Sequence, residues 1–248
     1  MKKLLLFFIF FISLNTLAET DVFWDDEGML YIENVKNNKK EGEYTYYFKN
    51  GDIEEGTYKN GEKEGPYKKY YENGQIESER TYRNGQQEGP YKVYSENGQI
   101  IYEGTYKNWQ DEGPYKKYYE NGQISEEGTY INGEKDGPYK EYYENGQICE
   151  EGTYRNGEKE GLFKEYDPYG QIMLEVTYIN GEKDGPYKEY HENGQIYEEG
   201  TYRNGKKEGL FKSYDPYGQL SEEGTYKNDK KRTKKEYYKN DKIKRGRK

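Results

Sequence analysis

Cysteine, histidine and long apolar runs are scarce in this sequence. Its one cysteine, Cys149, excludes an intramolecular disulfide bond, and no base lies near it in the sequence to form a nucleophilic pair. Its one histidine is His191. After the first 18 residues no apolar stretch approaches the length that crosses a membrane. The sequence therefore predicts no catalytic, cofactor or metal site, and we expect neither an enzyme nor a small-molecule substrate.

The exception to this shortage of apolar runs is the N-terminal segment. Two lysines precede an apolar run over residues 4–12, and Ala18 ends a small-residue cleavage site. This order is typical of a secretory signal peptide. We expect residues 1–18 to form a signal helix and the protein to be exported to the periplasm, the cell envelope or the medium.

Charge is plentiful and unevenly placed. Charged residues make up 35% of the sequence and the formal net charge is −9, a balance that by itself suggests disorder. Without the two lysines of the signal peptide the net charge is −11, of which residues 227–248 contribute +9 and the preceding body −20. We interpret this asymmetry as an acidic body followed by a basic interaction tail.

A period of 24 residues organises the chain. The dipeptide Thr-Tyr recurs at this spacing and ends at Tyr58, Tyr82, Tyr106, Tyr130, Tyr154, Tyr178, Tyr202 and Tyr226. The 33 tyrosines carry apolar area at regular positions, so a folded repeat architecture is favoured over disorder. We divide the chain into the signal peptide (1–18), a degenerate capping repeat (19–42), tandem repeats of 23 to 24 residues (43–226), and a degenerate last repeat with the basic tail (227–248).

Each repeat contains two turn signals and two short runs rich in β-branched and aromatic residues, which favour strands. Pairs such as Asn73-Gly74 predict hairpin turns in which both residues tolerate positive φ. A second signal, Asn84-Gly85 to Gly89-Pro90, predicts a longer loop. Strand alternation places Ile76 on the same face as Tyr82, and a near-constant glycine between their equivalents would leave room for a ring.

The fold predicted from these runs is all-β, an elongated single-layer antiparallel sheet of tandem β-hairpins. One repeat buries too little apolar area to stand alone, so neighbouring repeats must stabilise one another. A structural tyrosine ladder is predicted at positions where tyrosine never varies: Tyr70, Tyr94, Tyr118, Tyr142, Tyr166, Tyr190 and Tyr214. Glutamates equivalent to Glu79 and lysines equivalent to Lys68 are expected to form cross-strand charge pairs.

Two sets of residues are candidates for binding. Rings beside freely varying positions are predicted to face solvent and to form a partner-binding surface: Tyr71, Tyr119, Tyr143 and His191. His191 aligns with tyrosines, so we interpret it as drift rather than as a catalytic base. A candidate lipid-binding tail for an anionic membrane surface comprises Lys230, Lys231, Arg232, Lys234, Lys235, Lys244, Arg245, Arg247 and Lys248. A solvated end, or an ionic clasp on the acidic body, is the alternative.

A larger duplication covers the second half of the chain. Residues 129–176 and 177–224 match at 40 of 48 positions. The array has grown by copying blocks, which favours a modular binding surface over a single catalytic pocket.

The recurring Glu-Gly-x-Tyr, Asn-Gly and Gly-x-Tyr-Lys-x-Tyr-Tyr elements resemble the MORN repeat (membrane occupation and recognition nexus) in its bacterial variant form, over roughly residues 28–243. The resemblance implies a run of antiparallel hairpins in one long sheet. Bacterial variant members are often labelled antitoxins, and eukaryotic arrays serve as protein scaffolds or membrane-proximal modules.

From these observations we expect a non-catalytic, exported scaffold that binds a protein or an envelope component. One alternative is an antitoxin-like or immunity-like protein whose acidic body neutralises a basic toxin. A second alternative is binding of anionic phospholipid through the basic tail. Nucleic acid is not an expected partner, because the exported chain is acidic.

Overall fold

The computed structural model describes residues 20–24 and 30–237, with side chains from residue 35 onward. The predicted signal helix and residues 238–248 of the predicted tail lie outside the described residues. The described chain is entirely β, and none of it forms a helix that could cross a membrane.

The strands are β1 (Thr20–Trp24), β2 (Leu30–Lys36), β3 (Lys39–Lys40), β4 (Gly42–Tyr47), β5 (Ile53–Lys59), β6 (Glu62–Lys63), β7 (Gly65–Tyr70), β8 (Ile76–Arg83), β9 (Gln86–Gln87), β10 (Gly89–Tyr94), β11 (Ile100–Lys107), β12 (Gln110–Asp111), β13 (Gly113–Tyr118), β14 (Ile124–Ile131), β15 (Glu134–Lys135), β16 (Gly137–Tyr142), β17 (Ile148–Arg155), β18 (Glu158–Lys159), β19 (Gly161–Tyr166), β20 (Ile172–Ile179), β21 (Glu182–Tyr190), β22 (Ile196–Arg203), β23 (Lys206–Lys207), β24 (Gly209–Tyr214), β25 (Leu220–Lys227) and β26 (Lys230–Glu236).

The long strands form one antiparallel meander. In a typical repeat, a six-residue strand such as β10 pairs with the eight-residue strand before it, β8, and with the one after it, β11. The two-residue strands, such as β9, fold back on the end of the preceding long strand. The sheet is a single layer and its two ends do not close on each other. This architecture confirms the all-β fold of tandem hairpins that the sequence predicts.

The two turns of a repeat have the reverse of the predicted geometry. Asn84 and Gly85 both have positive φ, 49° and 76°, and form the tight two-residue turn. At the other turn only Gly74 has a positive φ, and the five-residue loop 71–75 is closed by the bond from Tyr71 N to Gln75 O at 2.9 Å. The side chain of Asn73 accepts the N–H of Gln75 at 2.9 Å and donates to Glu96 O of the next repeat at 2.8 Å. These side-chain bonds hold the loop.

A β-bulge changes which residues share a face of the sheet, compared with simple alternation along the strand. Lys69 pairs with Ser78 whereas Tyr70 pairs with Ile76, so the register shifts by one residue. Because cross-strand partners share a face, Ile76 lies with Tyr70 and on the face opposite Tyr82. The prediction that Ile76 and Tyr82 share a face is therefore wrong.

We name the two faces by their content. The ring face carries Tyr67, Arg80, Tyr82 and their equivalents, and the charge face carries Lys68, Glu79 and their equivalents. The core of this one-layer protein lies on the ring face, in a row of buried side chains: Tyr44, Tyr67, Tyr115, Tyr139, Phe163, Tyr187 and Phe211. These rings were not singled out from the sequence.

The constant glycine opposite this row leaves space for a ring, as expected. A Cβ on Gly200 would lie 2.9 Å from Cε1 of Tyr187, and one on Gly128 would lie 3.0 Å from Cε1 of Tyr115. Each ring therefore lies across the backbone of the neighbouring strand. A second ring packs beside it, as Tyr202 does at a centroid distance of 4.8 Å from Tyr187.

Hydrogen bonds join consecutive repeats at both edges of the sheet. At the tight-turn edge, the acid of one repeat accepts the N–H of the asparagine 20 residues later, as Glu64 does from Asn84 at 2.8 Å. At the other edge, Tyr71 donates its hydroxyl to Tyr94 O, 23 residues later, at 2.7 Å. Each repeat thus satisfies polar groups of its neighbour, which stabilises the array beyond ring packing.

Candidate functional site

On the ring face, the regular repeats each hold one lysine ammonium group over aromatic rings and against a glutamate carboxylate, and we call this arrangement a cage. Lys207 Nζ lies 4.5 Å from the ring centroid of Tyr187 and 5.6 Å from that of Tyr226, and it contacts Glu189 and Glu198 at 2.8 Å each. Burial opposes ionisation of Glu198, but hydrogen bonds from Lys207 and Tyr187 outweigh it and hold its pKa below the ordinary value. The pKa of Lys207 is raised despite burial, because both carboxylates bind its ammonium.

The same cage recurs along the array. The lysine and its glutamate lie nine residues apart, and their Nζ to Oε distances are 2.5 to 3.0 Å in the pairs Lys63–Glu54, Lys135–Glu126, Lys159–Glu150 and Lys231–Glu222. In these pairs the lysine lies over one or more aromatic rings. The charges are neutralised internally, so the regular cages leave little for a ligand to bind.

In two of the three hairpins that depart from this pair, both members change together. Gln87 stands in the lysine position and Ser78 in the glutamate position of the same hairpin. In the next repeat Asp111 accepts hydrogen bonds from Tyr91 at 2.7 Å and from Tyr102, which holds the glutamate position, at 3.3 Å. In a third repeat Leu174 holds the glutamate position and Lys183 lies over the ring of Tyr202 at 5.5 Å.

The charge face carries the predicted cross-strand pairs. Lys68 lies directly opposite Glu79, and Lys68 Nζ is 3.0 Å from Glu79 Oε1. Glu79 also accepts the hydroxyl of Tyr94 at 2.7 Å, and the bonds from Tyr94 and Lys68 lower its pKa. Burial and this bond raise the pKa of Tyr94 to about 12.

The structure places the predicted tyrosine ladder on the charge face, half-buried. Each hydroxyl donates to the glutamate 15 residues earlier, at 2.5 to 3.0 Å, in Tyr70, Tyr94, Tyr118, Tyr142, Tyr166, Tyr190 and Tyr214. Tyr237 extends the series by donating to Glu223 at 2.6 Å. The ladder therefore links strands through hydrogen bonds, while ring packing lies on the opposite face.

The predicted partner-binding rings are tied into the array. The sequence predicts that these rings face solvent, but the structure has all four half-buried: Tyr71, Tyr119, Tyr143 and His191. Each contacts the backbone carbonyl 23 residues later, at distances of 2.7, 2.5, 2.7 and 2.9 Å. Cys149 is also half-buried. A role of these rings in partner binding stays a prediction, but their polar tips are already engaged.

The first part of the predicted lipid-binding tail is a strand. Lys230, Lys231, Arg232, Lys234 and Lys235 lie in β26, which pairs with β25. Lys231 is 3.0 Å from Glu222, and Lys235 is 3.3 Å from Glu223. The other tail candidates, Lys244, Arg245, Arg247 and Lys248, lie outside the described residues.

Sequence reasoning missed several exposed apolar side chains. Leu162 is 51% exposed and Leu210 78% exposed on the charge face, at a position where the other full repeats have proline. Each leucine borders a shallow groove of about 220 to 230 Å³. Tyr169 and Tyr217, in the Asp-Pro-Tyr-Gly turns, are 88% and 77% exposed. The sequence signal for them was the 48-residue duplication, which repeats Leu162 as Leu210 and Tyr169 as Tyr217.

Titratable groups do not converge into a metal site within the described ranges: no group of three or more histidine, cysteine, aspartate or glutamate side chains is positioned there to hold an ion. The carboxylates are instead paired with lysine ammonium groups and tyrosine hydroxyls, as in the cages and the ladder.

Comparison with known families accounts for the periodicity. No match to a curated protein was found. The description MORN repeat variant matches eight consecutive segments: 40–60, 63–84, 87–108, 111–132, 135–156, 159–180, 183–204 and 207–228. These segments span most of the described sheet, and their boundaries recur with the same period as the cages and turns. The chain belongs to the MORN repeat variant family.

Proposed function

We propose that this protein is a non-catalytic, exported scaffold that binds a protein partner on its charge face, around Leu162 and Leu210. Repeats of the family commonly serve in binding and scaffolding, which supports a role of this kind. The observation that carries the proposal is the exposure of these two leucines, 51% and 78%, at a charge-face position where the other full repeats have proline.

The ring face is less suited to a partner. Its rings pack against one another, and its lysines and glutamates neutralise each other inside the cages. A partner on that face would have to break existing contacts. On the charge face, the leucines and grooves require only the removal of water, and burial of one leucine contributes about 1.5 to 3 kcal/mol.

The two grooves form one bipartite surface. The first is lined by Pro138, Lys140, Glu151 and Leu162, and the second by the residues 48 positions later, Pro186, Lys188, Glu199 and Leu210. Four strand spacings of about 4.8 Å separate β19 from β24, which places the leucines roughly 19 Å apart. A partner with two apolar contacts at this spacing gains from binding both at once.

Export is supported by the order of basic, apolar and small residues over positions 1–18. An exported scaffold would meet its partner in the cell envelope. The acidic body, with its formal charge of −20, would repel acidic proteins and favour a partner of neutral or basic surface.

Paired capture tests the proposal. The array itself supplies a mild substitution, because proline holds the Leu162 and Leu210 position in neighbouring repeats. We expect the wild-type protein to retain a specific envelope protein that the double variant Leu162→Pro/Leu210→Pro retains at least 10-fold less. Circular dichroism should show the same β content and thermal midpoint for both. Equal capture by the two proteins contradicts the assignment of the surface.

The same capture separates the other hypotheses. A basic toxin held by the acidic body would be released by salt and would ignore the leucine changes. Anionic vesicles bound by the tail would ignore the leucine changes and respond to Lys230→Gln/Arg232→Gln, which alters two exposed cations of β26.

A further inference from the structure

One repeat departs from the others at the glycine position of the ring face. Arg80 lies there, opposite Tyr67, where most repeats have glycine. Its guanidinium carbon is 5.9 Å from the Tyr67 ring centroid, and the side chain is half-buried. A long cationic side chain thus replaces the glycine against which a ring packs closely in most repeats.

The internal counter-ion of this repeat is missing. In the regular cages these two positions hold a glutamate and a lysine that form an ion pair, but here they hold Ser78 and Gln87. Among the described residues no carboxylate lies within ion-pair distance of Arg80. Every other cage that lacks the complete pair has a neutral or acidic group, or a lysine over a ring, so an unpaired arginine is peculiar to this repeat.

Nearby carboxylates already have partners. Glu54, the cage acid of the preceding repeat, accepts hydrogen bonds from Lys63 at 2.6 Å and from Tyr44 at 2.9 Å. Asp52 and Glu77 both contact Lys69, at 3.4 and 2.5 Å. Rearranging any of them toward Arg80 would break an ion pair that the fold already makes.

Two buried polar atoms at this place lack hydrogen-bond partners. They are the hydroxyl oxygen of Ser78, a residue only 1% exposed, and Nε of Arg80. Buried polar groups almost always have hydrogen-bond partners, and a group left without one destabilises the fold. An unsatisfied hydroxyl beside an unpaired guanidinium is the pattern of an acceptor missing from the site.

We propose that Arg80, with Ser78 and Gln87 beside it, forms a binding site for a small oxyanion on the ring face. The guanidinium presents N–H donors in the planar arrangement that matches two oxygens of a phosphate or carboxylate. The Ser78 hydroxyl and the Gln87 amide supply further donors. The ligand is identified by this chemistry as inorganic phosphate or a carboxylate group, and the site is independent of the leucine surface.

The array supplies a conservative test, because glycine is the usual residue at this position. In the full chain, the Nε–Hε resonance of Arg80 is followed by NMR during titration with phosphate and, separately, with acetate at constant ionic strength. We expect this resonance to shift and saturate with one of the two anions. The anion with the larger response shows whether the natural ligand is a phosphate or a carboxylate.

Two variants of equal charge loss complete the test. An anion that binds the folded wild-type protein should raise its thermal midpoint. Arg80→Gly should abolish this rise, whereas Arg155→Gln, at an exposed strand end, should retain it. An Arg80 resonance that does not move with either anion overturns the proposal. An equal rise in thermal midpoint for Arg80→Gly and wild type overturns it as well, because the anion then binds elsewhere.

Discussion

Two repeats replace the glycine of the ring face, and they do so in opposite ways. In one, Val176 is fully buried and packs with Phe163, Tyr178 and Tyr187 in a cluster of buried apolar side chains. In the other, Arg80 is half-buried beside a serine hydroxyl that has no partner. The same backbone position therefore accepts an apolar side chain or a cation.

The neighbours decide which outcome is stable. Opposite Val176 the ring leans toward the preceding strand, where a Cβ on Gly152 would lie 2.6 Å from Phe163. Leu174 occupies the position that holds the cage glutamate in regular repeats. The cluster therefore contains no carboxylate that needs a partner. Around Arg80 the substitutions remove charge without adding apolar area. The first region gains packing, and the second leaves donors available.

The apolar region should be broken most strongly by Phe163→Ala. Phe163 is completely buried, so loss of the ring leaves a cavity and should reduce the free energy of unfolding by about 3 to 5 kcal/mol in urea denaturation. Its neighbour Leu162, 51% exposed, provides the control, since Leu162→Ala should change stability by about 0.5 kcal/mol or less. Similar losses for both would show that Phe163 is not a core residue.

A hydroxyl placed in the same cluster should lower the free energy of unfolding by less than loss of the Phe163 ring, but by a measurable amount. Val176→Thr keeps the shape and adds one polar group at a position that is 0% exposed, which should lower the unfolding free energy by about 1 to 3 kcal/mol. The adjacent Thr177→Val, on the charge face, should be nearly neutral. If Val176→Thr is neutral too, the cluster admits water and resembles the Arg80 region.

Glu198→Gln probes the regular cage that both regions lack. It should cost about 1 to 3 kcal/mol at pH 7, because charged hydrogen bonds from Lys207 and Tyr187 are weakened. The folded pKa of Glu198 is depressed, so its contribution is complete above the ordinary value of 4.5 and is lost as pH falls through the folded pKa. Stability of wild type and variant should converge in acid. Glu192→Gln, at an exposed turn, should show no such dependence.

The smallest effect is expected at Ser78, and its sign is the opposite. In buffer without phosphate or acetate, Ser78→Ala removes a buried hydroxyl that has no partner and should raise the unfolding free energy by up to about 1 kcal/mol. Ser213→Ala is the matched change, because that buried hydroxyl donates to Glu198 at 3.1 Å and its removal should destabilise. Equal destabilisation by both would mean that Ser78 is satisfied after all.

Much of the fold could be predicted because turn residues and strand residues alternate with one period. The faces could not, because a single bulge between Lys69 and Tyr70 moves Ile76 to the other side. The cages were readable in principle, since Gln87 changes together with Ser78, nine residues away, and Asp111 with Tyr102. The exposure of Tyr169 could not be predicted, because most other tyrosines of the repeats are buried or half-buried.

From Glu64 onward, the side-chain bonds from one repeat to the next span 20 residues of sequence at one edge of the sheet and 23 at the other. They act as a molecular ruler. An insertion or deletion of whole 24-residue units leaves every donor opposite an acceptor. A change of half a unit would leave donors without acceptors along both edges of the sheet. The array can therefore lengthen or shorten only by whole repeats. Each such change would alter the number of repeats that a partner spanning several hairpins can contact.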